Sequence, residues 1–455
     1  MYQMLFQEFE DSDKKIWLDR VQRDRKGKDY NDLLWAVSDK LVMEPYYDRG
    51  EFNDLVCNDL LLVGKASSEW LNQAFIDATS YEITCLQIQE AISGGADALW
   101  IKMGDARWND AELTELAVEI SKAAIPVVFE NASQYSGHLA AMTTDRTCST
   151  TVVYDPLSVW MQGRISLSEC YQQLHSLAGS LPSRKKDRPI MVGGHAFHNA
   201  GGDPVQELAF TTSLLVHYLD WFTEQNLPVD QVLDSLFFCV SVGPDYLTEL
   251  SKLRALRLLH KKVCDAYGVT SKSPFIHART SAFYETRMSP DSNFIRTTIE
   301  GMAAVAGGCD ALTIVPHRSD ISREKTFRAR VTRNISLIMR EEALLGKVAD
   351  PAAGSYFLDK FTQELVACAW DLFLAVENKG GLVAAFEQNY IQDELSRSWA
   401  RKLEAYQNGR VVVGVNEFVD REEMKVVSHQ SEIRSFSGNF LLNRNLEEGI
   451  NTYKS

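Results

Sequence analysis

Four of the nine histidines fall at or just beyond the ends of predicted strands: His195, His198, His277 and His317. Imidazoles at such places, with Glu130 or Asp155 beside them, form a donor set that a divalent cation would accept, and a metal-bound water could then act as nucleophile. No spacing among them is that of a specific metal motif, so rim histidines hydrogen-bonded to loop backbone are the expected reading, with no metal. Asp77, Lys102, Ser241, Arg279 and Arg318 also fall at or just beyond strand ends. The glycine-rich run from Gly193 to Gly202 could cradle a phosphate. Its glycines more simply allow a sharp turn into the helix that begins near Val205. Arg254 and Arg257 share one helical face at i, i+3 and could meet phosphates. Spacing alone favours an exposed face paired with Asp and Glu.

These residues need elements to hold them, and the pattern of the chain supplies one kind of unit. Alternating apolar residues predict strands over 71–77, 98–103, 126–130, 151–155, 189–195, 236–242, 275–280 and 312–316. Helical spacing predicts helices over 82–92, 111–124, 133–142, 166–181, 205–225, 245–267, 293–306 and 324–345. Eight strands each followed by a helix is the α/β pattern of a (β/α)8 TIM barrel, whose catalytic groups come from the C-terminal ends of strands. An internal echo supports it: Gly94-Gly95-Ala96-Asp97-Ala98-Leu99 against Gly307-Gly308-Cys309-Asp310-Ala311-Leu312. Both mark a helix that must stop and a strand that must start, where glycine tolerates left-handed backbone. An open doubly wound sheet is the rival, weakened because the first turn has no G-x-G-x-x-G.

The barrel is expected over 68–346. Residues 1–67 lack the repeating unit and are too sparse in apolar residues for a core of their own, so they read as a wrapping arm. Residues 347–455 read as a helical extension, with helices over 362–377 and 391–407, a strand-like 411–415 and a charged tail. A net charge of −15 opposes association with nucleic acid or an anionic membrane. No secretion signal or membrane-length apolar window stands out, and the eight cysteines form no C-x-x-C pair. Reduced core cysteines in a cytoplasmic protein are expected.

Several ordered motifs resemble one family. Phe237 to Tyr246 with Lys252 to Leu259, Arg279-Thr280-Ser281, the run N-F-I-R-T-T-I-E-G-M-A-A-V-A-G-G from Asn293, Arg330 to Glu342, and Asp350 to Tyr356 look like the acyl-CoA-binding barrel of methylmalonyl-CoA mutases. Leu34 to Tyr46 resembles that family's N-terminal arm, and Val411 to Phe418 the segment that closes its barrel domain. The resemblance implies isomerisation of methylmalonyl-CoA and succinyl-CoA with adenosylcobalamin, in propionate metabolism. The cofactor would carry the radical chemistry, and the CoA tail would thread the barrel axis. By the same resemblance Arg254, Arg257, Arg279, Thr280 and Ser281 are candidate substrate-binding residues.

The departures from the family decide the expected role. A cobalt-ligating D-x-H-x-x-G is absent, and the chain is expected to end where the cobalamin domain would begin. Anchoring on Ala200-Gly201 places Ala196 at the family's catalytic histidine, with His195 one place early. The tyrosine-bearing strand reads Leu71-Asn72-Gln73-Ala74-Phe75-Ile76, without tyrosine, and the carboxylate-binding arginine has no counterpart between Pro156 and Ser166. The implied protein is the small subunit of a heterodimeric mutase, inactive alone, with no catalytic residue. Adenosylcobalamin would sit on a homologous large subunit or another chain, and the isolated small subunit could form a homodimer. The alternatives are an acyl-CoA-binding barrel without isomerase activity, and a metal-dependent barrel enzyme using the rim histidines.

Overall fold

The computed structural model describes residues 13–51, 64–65, 67–103, 108–132, 135, 149–179, 181, 187–316, 322–419 and 440–454. Eight parallel strands are formed: β1 Leu71–Ala78, β2 Ala98–Met103, β3 Val127–Glu130, β4 Thr150–Val153, β5 Ile190–Gly193, β6 Leu236–Val242, β7 Ile276–Thr280 and β8 Ala311–Thr313. Their order in the sheet is β4-β3-β2-β1-β8-β7-β6-β5. A bridge between Tyr154 and Ile190 joins the two ends, so the sheet closes into the expected (β/α)8 barrel. The helices around it are α1 Tyr81–Ser93, α2 Asp110–Ala123, α3 Leu167–Ala178, α4 Pro204–Glu224, α5 Tyr246–Ala266, α6 Ser292–Ala306 and α7 Ser322–Glu341. Of the predicted helix over 133–142 only Tyr135 falls within the described residues.

Alternation along the strands sorts side chains between two compartments. Leu236, Phe238, Val240 and Val242 of β6 join the large core between sheet and helices. Phe237 and Cys239 point the other way and cluster with Trp100, Val153 and Met191 inside the barrel. Side chains such as Phe238 and Phe210 are fully buried, each stabilising by roughly 1.5–3 kcal/mol. Capping boxes start three helices: Asn109 with Glu112, Ser166 with Glu169, and Asp203 with Gln206. Each pairs two otherwise unbonded amide donors of the first turn.

The internal echo has a second meaning. Gly95 and Gly308 take φ of +87° and +86°, ending α1 and α6 as expected. Asp97 and Asp310 then do the same job at the bottom of the barrel. Asp97 accepts from the amide of Asn72 at 3.0 Å, and Asp310 from that of Ile276 at 2.8 Å. Each carboxylate also meets an arginine, Arg340 and Arg257 respectively.

Three local expectations are corrected. The fourth and fifth strands end earlier than predicted because Asp155 caps a short helix, Pro156–Met161, and His195 opens another, His195–Asn199. Strand and helix therefore do not alternate one for one, a further helix at Val229–Asp234 being inserted before β6. The strand-like 411–415 makes only a bridge from Val413 to Glu417.

The N-terminal segment contains a helix, Lys14–Asp24, with no buried residue. A hairpin follows in which Trp35–Ala36 pairs antiparallel with Val42–Met43. Met43 is completely buried, and Trp35 stacks on Phe357 at 6.4 Å. Phe357 belongs to α8, Tyr356–Glu377, which packs on α4 and α5. A short helix, Gly381–Glu387, and two longer ones, α9 Tyr390–Gln407 and α10 Leu446–Lys454, follow. Among the described residues no helix is long and apolar enough to cross a membrane. Five of the six described cysteines are buried and all six are free.

Candidate functional site

Arg279 sits on β7 and points into the barrel, where its Nη1 meets Glu130 Oε2 at 3.3 Å. Glu130, across the barrel on β3, also accepts from Trp100 Nε1 at 2.6 Å. The guanidinium lies 5.4 Å from the Trp100 ring and 5.6 Å from the Phe75 ring, within cation–π range. Beneath them Trp100 stacks on His277 at 4.4 Å with the planes 26° apart. Thr313 Oγ1 lies 2.8 Å from His277 Nε2 and itself donates toward Gln73 Oε1 at 3.4 Å. Together these side chains form a stopper across the middle of the bore.

Burial works to raise the Glu130 carboxyl, but the charge of Arg279, helped by Lys102 and His195, holds it below its ordinary value. Burial, then repulsion from Arg279 and His195, pushes His277 well below the usual histidine range. His195 is brought down to about 4 by burial and Arg279. The bore at neutral pH therefore holds one ion pair and two neutral imidazoles. Below the stopper, at the N-terminal mouth, a pocket of about 210 Å³ is bounded by Leu71, Ala98, Phe237 and Phe275 and ends on Trp100 and His277. Arg188 covers the Phe275 ring at 4.8 Å.

Among the described residues the rim histidines do not converge. His277 lies inside the barrel, buried to 1%, rather than at the rim. His317 and Arg318 fall outside the described residues. His198 is buried on the helix after β5, its Nε2 2.7 Å from Ser281 Oγ and its Nδ1 3.2 Å from Glu207 Oε2. Among the described residues no three His, Cys, Asp or Glu side chains are grouped to hold a metal ion.

Serine, histidine and glutamate in line are the geometry of an activated nucleophile. Here Ser281 is only 1% exposed, its oxygen also accepts from the Phe283 amide at 3.2 Å, and Phe283 and Tyr284 cover the imidazole. No substrate carbonyl reaches it. The triad instead ties the segment after β5 to the segment after β7. Glu207 receives Lys252 Nζ at 2.6 Å, and Lys252 also bonds the Ser241 carbonyl at 2.7 Å and Glu249 at 2.5 Å. Lys252 is 1% exposed, so this is a buried charge cluster linking β6, α4 and α5.

Arg254 and Arg257 are paired with aspartates as the spacing suggested, but they are not exposed. Arg254 meets Asp359 at 2.6 Å, Asp350 at 3.1 Å and Thr362 at 3.1 Å. Arg257 holds Ser273, the carbonyls of Pro274 and Gly308, and Asp310. These bonds occupy both guanidiniums, one pinning α8 to α5 and the other the bottom of the barrel. Thr280 Oγ1 accepts from the Val315 amide at 2.9 Å. Asp77 is exposed and Lys102 half-buried at the upper rim.

The glycine-rich run is explained by close approach. A Cβ on Gly193 would lie 2.1 Å from Asp155 Oδ2, and one on Gly194 2.4 Å from Thr211 Oγ1. Gly201 alone in this run has a left-handed φ, +95°. Ala196, on the short helix after β5, is buried at 1% exposure.

Asp155 has a measurable consequence. Burial pushes its carboxyl up to about 6, although Ser158 and Tyr218 donate to it. The folded state therefore keeps a proton that the unfolded chain loses near pH 4, so stability falls as pH rises from about 4 to about 6 and is flat above. The His195 imidazole acts in the opposite sense, losing stability as pH falls from about 6.5 toward 4. Asp155→Asn keeps an acceptor for both donors and isolates the first effect. The variant is expected to gain on the parent chain across that window by about 3 kcal/mol at most, read from urea unfolding at several pH values. A gap independent of pH would contradict it.

Sequence reasoning did not reach Trp100, Glu207 or Lys252. For Trp100 a signal existed, since it alternates with Ala98 and Lys102 on the inward face of β2.

Fold and site together define a class: a (β/α)8 barrel whose axis is closed by a tryptophan and an arginine–glutamate pair. The family model for methylmalonyl-CoA mutase matches residues 141–437, and the chain belongs to the methylmalonyl-CoA mutase family. It is similar to the methylmalonyl-CoA mutase small subunit of Porphyromonas gingivalis, 25% identical over 92% of this chain and 72% of that one. The methylmalonyl-CoA mutase small subunit of Streptomyces virginiae is 30% identical over 72% of this chain, which spans 55% of that relative. A shorter match, 30% identical over 54% of this chain and 35% of the relative, is to methylmalonyl-CoA mutase of Escherichia coli.

Proposed function

We propose that this chain is the non-catalytic small subunit of a heterodimeric, adenosylcobalamin-dependent mutase that interconverts methylmalonyl-CoA and succinyl-CoA. The stopper carries the reading. A CoA ester following the barrel axis from the N-terminal mouth would meet Trp100, His277 and the Arg279–Glu130 pair before reaching the C-terminal rim. Ala196 supports the same conclusion, being unable to move a proton at the family's histidine position. The described residues do not fit a cobalamin either, because His198 is held by Ser281 and Glu207, and His277 by Thr313. The cofactor and the chemistry then belong to a larger homologous subunit, which this chain stabilises by binding its folded form.

Co-purification with a full-length homologous mutase tests the proposal. A stable complex by light scattering is expected, and two proteins that elute apart would reject it. The blind pocket at the N-terminal mouth favours a second reading, a barrel that holds part of a CoA ester without transforming it. Titration calorimetry separates the two. No saturable heat from millimolar acyl-CoA is expected for the small subunit, whereas saturable heat would favour the second reading.

A further inference from the structure

A second cavity lies outside the barrel, in the seam between α1 and α7. The β1–β8 ladder has only two residue pairs, Leu71 with Ala311 and Asn72 with Leu312, after which the strands part. Small residues line the gap, including Ala74, Ala91 and Ala329, so the two helices leave about 290 Å³ between them. That volume is at the lower end for small-molecule sites and far too small for a CoA ester.

The walls are charged in a specific way. Arg330 and Arg333 project from one face of α7, and Glu90 faces them from α1. Arg333 lies flat against Gly94, where a Cβ would stand 2.2 Å from Nη2 and 2.4 Å from Nε. Any larger residue at 94 would displace the guanidinium. The Nε of Arg333 is buried without a hydrogen-bond partner, and so is Oε1 of Gln87, another residue lining the cavity. Unpaired buried donors and acceptors are unfavourable and rare in folded proteins. An unpartnered donor and an unpartnered acceptor on two residues that line one cavity, with two arginines there against one glutamate, describe the complement of a particular kind of molecule.

We infer that this seam binds a small metabolite carrying an oxyanion, a carboxylate or a phosphate monoester, together with a hydroxyl or amino donor. The oxyanion meets Arg333 and Arg330, where a guanidinium makes charge-assisted bonds. The donor satisfies Gln87. This site is separate from the bore, although Gln73 borders both cavities, and it does not depend on the subunit assignment above.

Calorimetry on the full chain tests it with L-malate, glycerol 3-phosphate and inorganic phosphate as probes. Saturable binding near one equivalent is expected for malate or glycerol 3-phosphate, and which of them binds tells carboxylate from phosphate. Two variants must then weaken it by about tenfold or more: Arg333→Gln removes the charge-assisted pair, and Ala329→Leu fills the cavity without touching a charge. Circular dichroism shows whether each variant is folded. No saturable heat from any probe at millimolar concentration overturns the inference. So does binding that a folded Ala329→Leu protein retains in full.

Discussion

Trp100→Ala is expected to lower the unfolding free energy by about 3–5 kcal/mol, the range for removing a buried tryptophan or phenylalanine from a core. The indole is 1% exposed, stacked on His277, edge-on to Phe237 at 6.2 Å and bonded to Glu130. Its loss extends the mouth pocket into mid-barrel and takes one donor from a buried carboxylate, two costs that add. The ion pair with Arg279 remains, so the barrel should still close. Because the void has the shape of the missing ring, added indole should raise the melting temperature of the variant and leave the parent chain unaffected. A loss below about 1 kcal/mol would mean that Trp100 does not pack as described. The same variant bears on function, since the stopper is what separates the N-terminal mouth from the rim.

A second large effect is expected at Lys252. Its ammonium is shared by Glu207 and Glu249 in a site with almost no solvent. Burial acts to raise the Glu207 carboxyl, and Lys252, followed by His198, outweighs it. Lys252→Met keeps most of the volume but strands two carboxylates, and breaking a buried pair from one side costs about 3–5 kcal/mol. Adding Glu207→Gln should recover part of that loss, since the two residues are coupled. The sign with pH also follows. Once the lysine is gone, burial leaves the Glu207 carboxyl ionising less readily in the folded than in the unfolded chain, so the deficit shrinks as pH is lowered. A loss that is equal at acid and neutral pH would show that the carboxylates are not stranded.

Much of the fold was legible because its signals are local. Strands β2 and β6 begin and end at the residues where alternation begins and ends. The helix stops at Gly95 and Gly308 follow from backbone freedom alone. Where boundaries slipped, at Asp155 and His195, a side chain or backbone group was recruited to open a short helix, which hydrophobic periodicity does not report. The candidate site was less legible. Arg254 and Arg257 read as surface residues because their partners Asp350, Asp359 and Asp310 lie far along the chain, and only folding brings these against α5.

The sequence by itself determined the repeating strand–helix unit, the eightfold barrel class and membership of a mutase family. Periodicity, turn residues and ordered motifs carry that information within short windows. Only the tertiary structure decided whether the barrel has an open axis. Arg279 and Glu130 are 149 residues apart, and Trp100 meets Glu130 from a third strand. Glu130 and Arg279 stand out in the sequence only as strand-end residues, and nothing in their segments pairs them with each other or with Trp100. Closing the sheet brings them to one level, where burial makes the ion pair and the indole stack on each other and fill the bore.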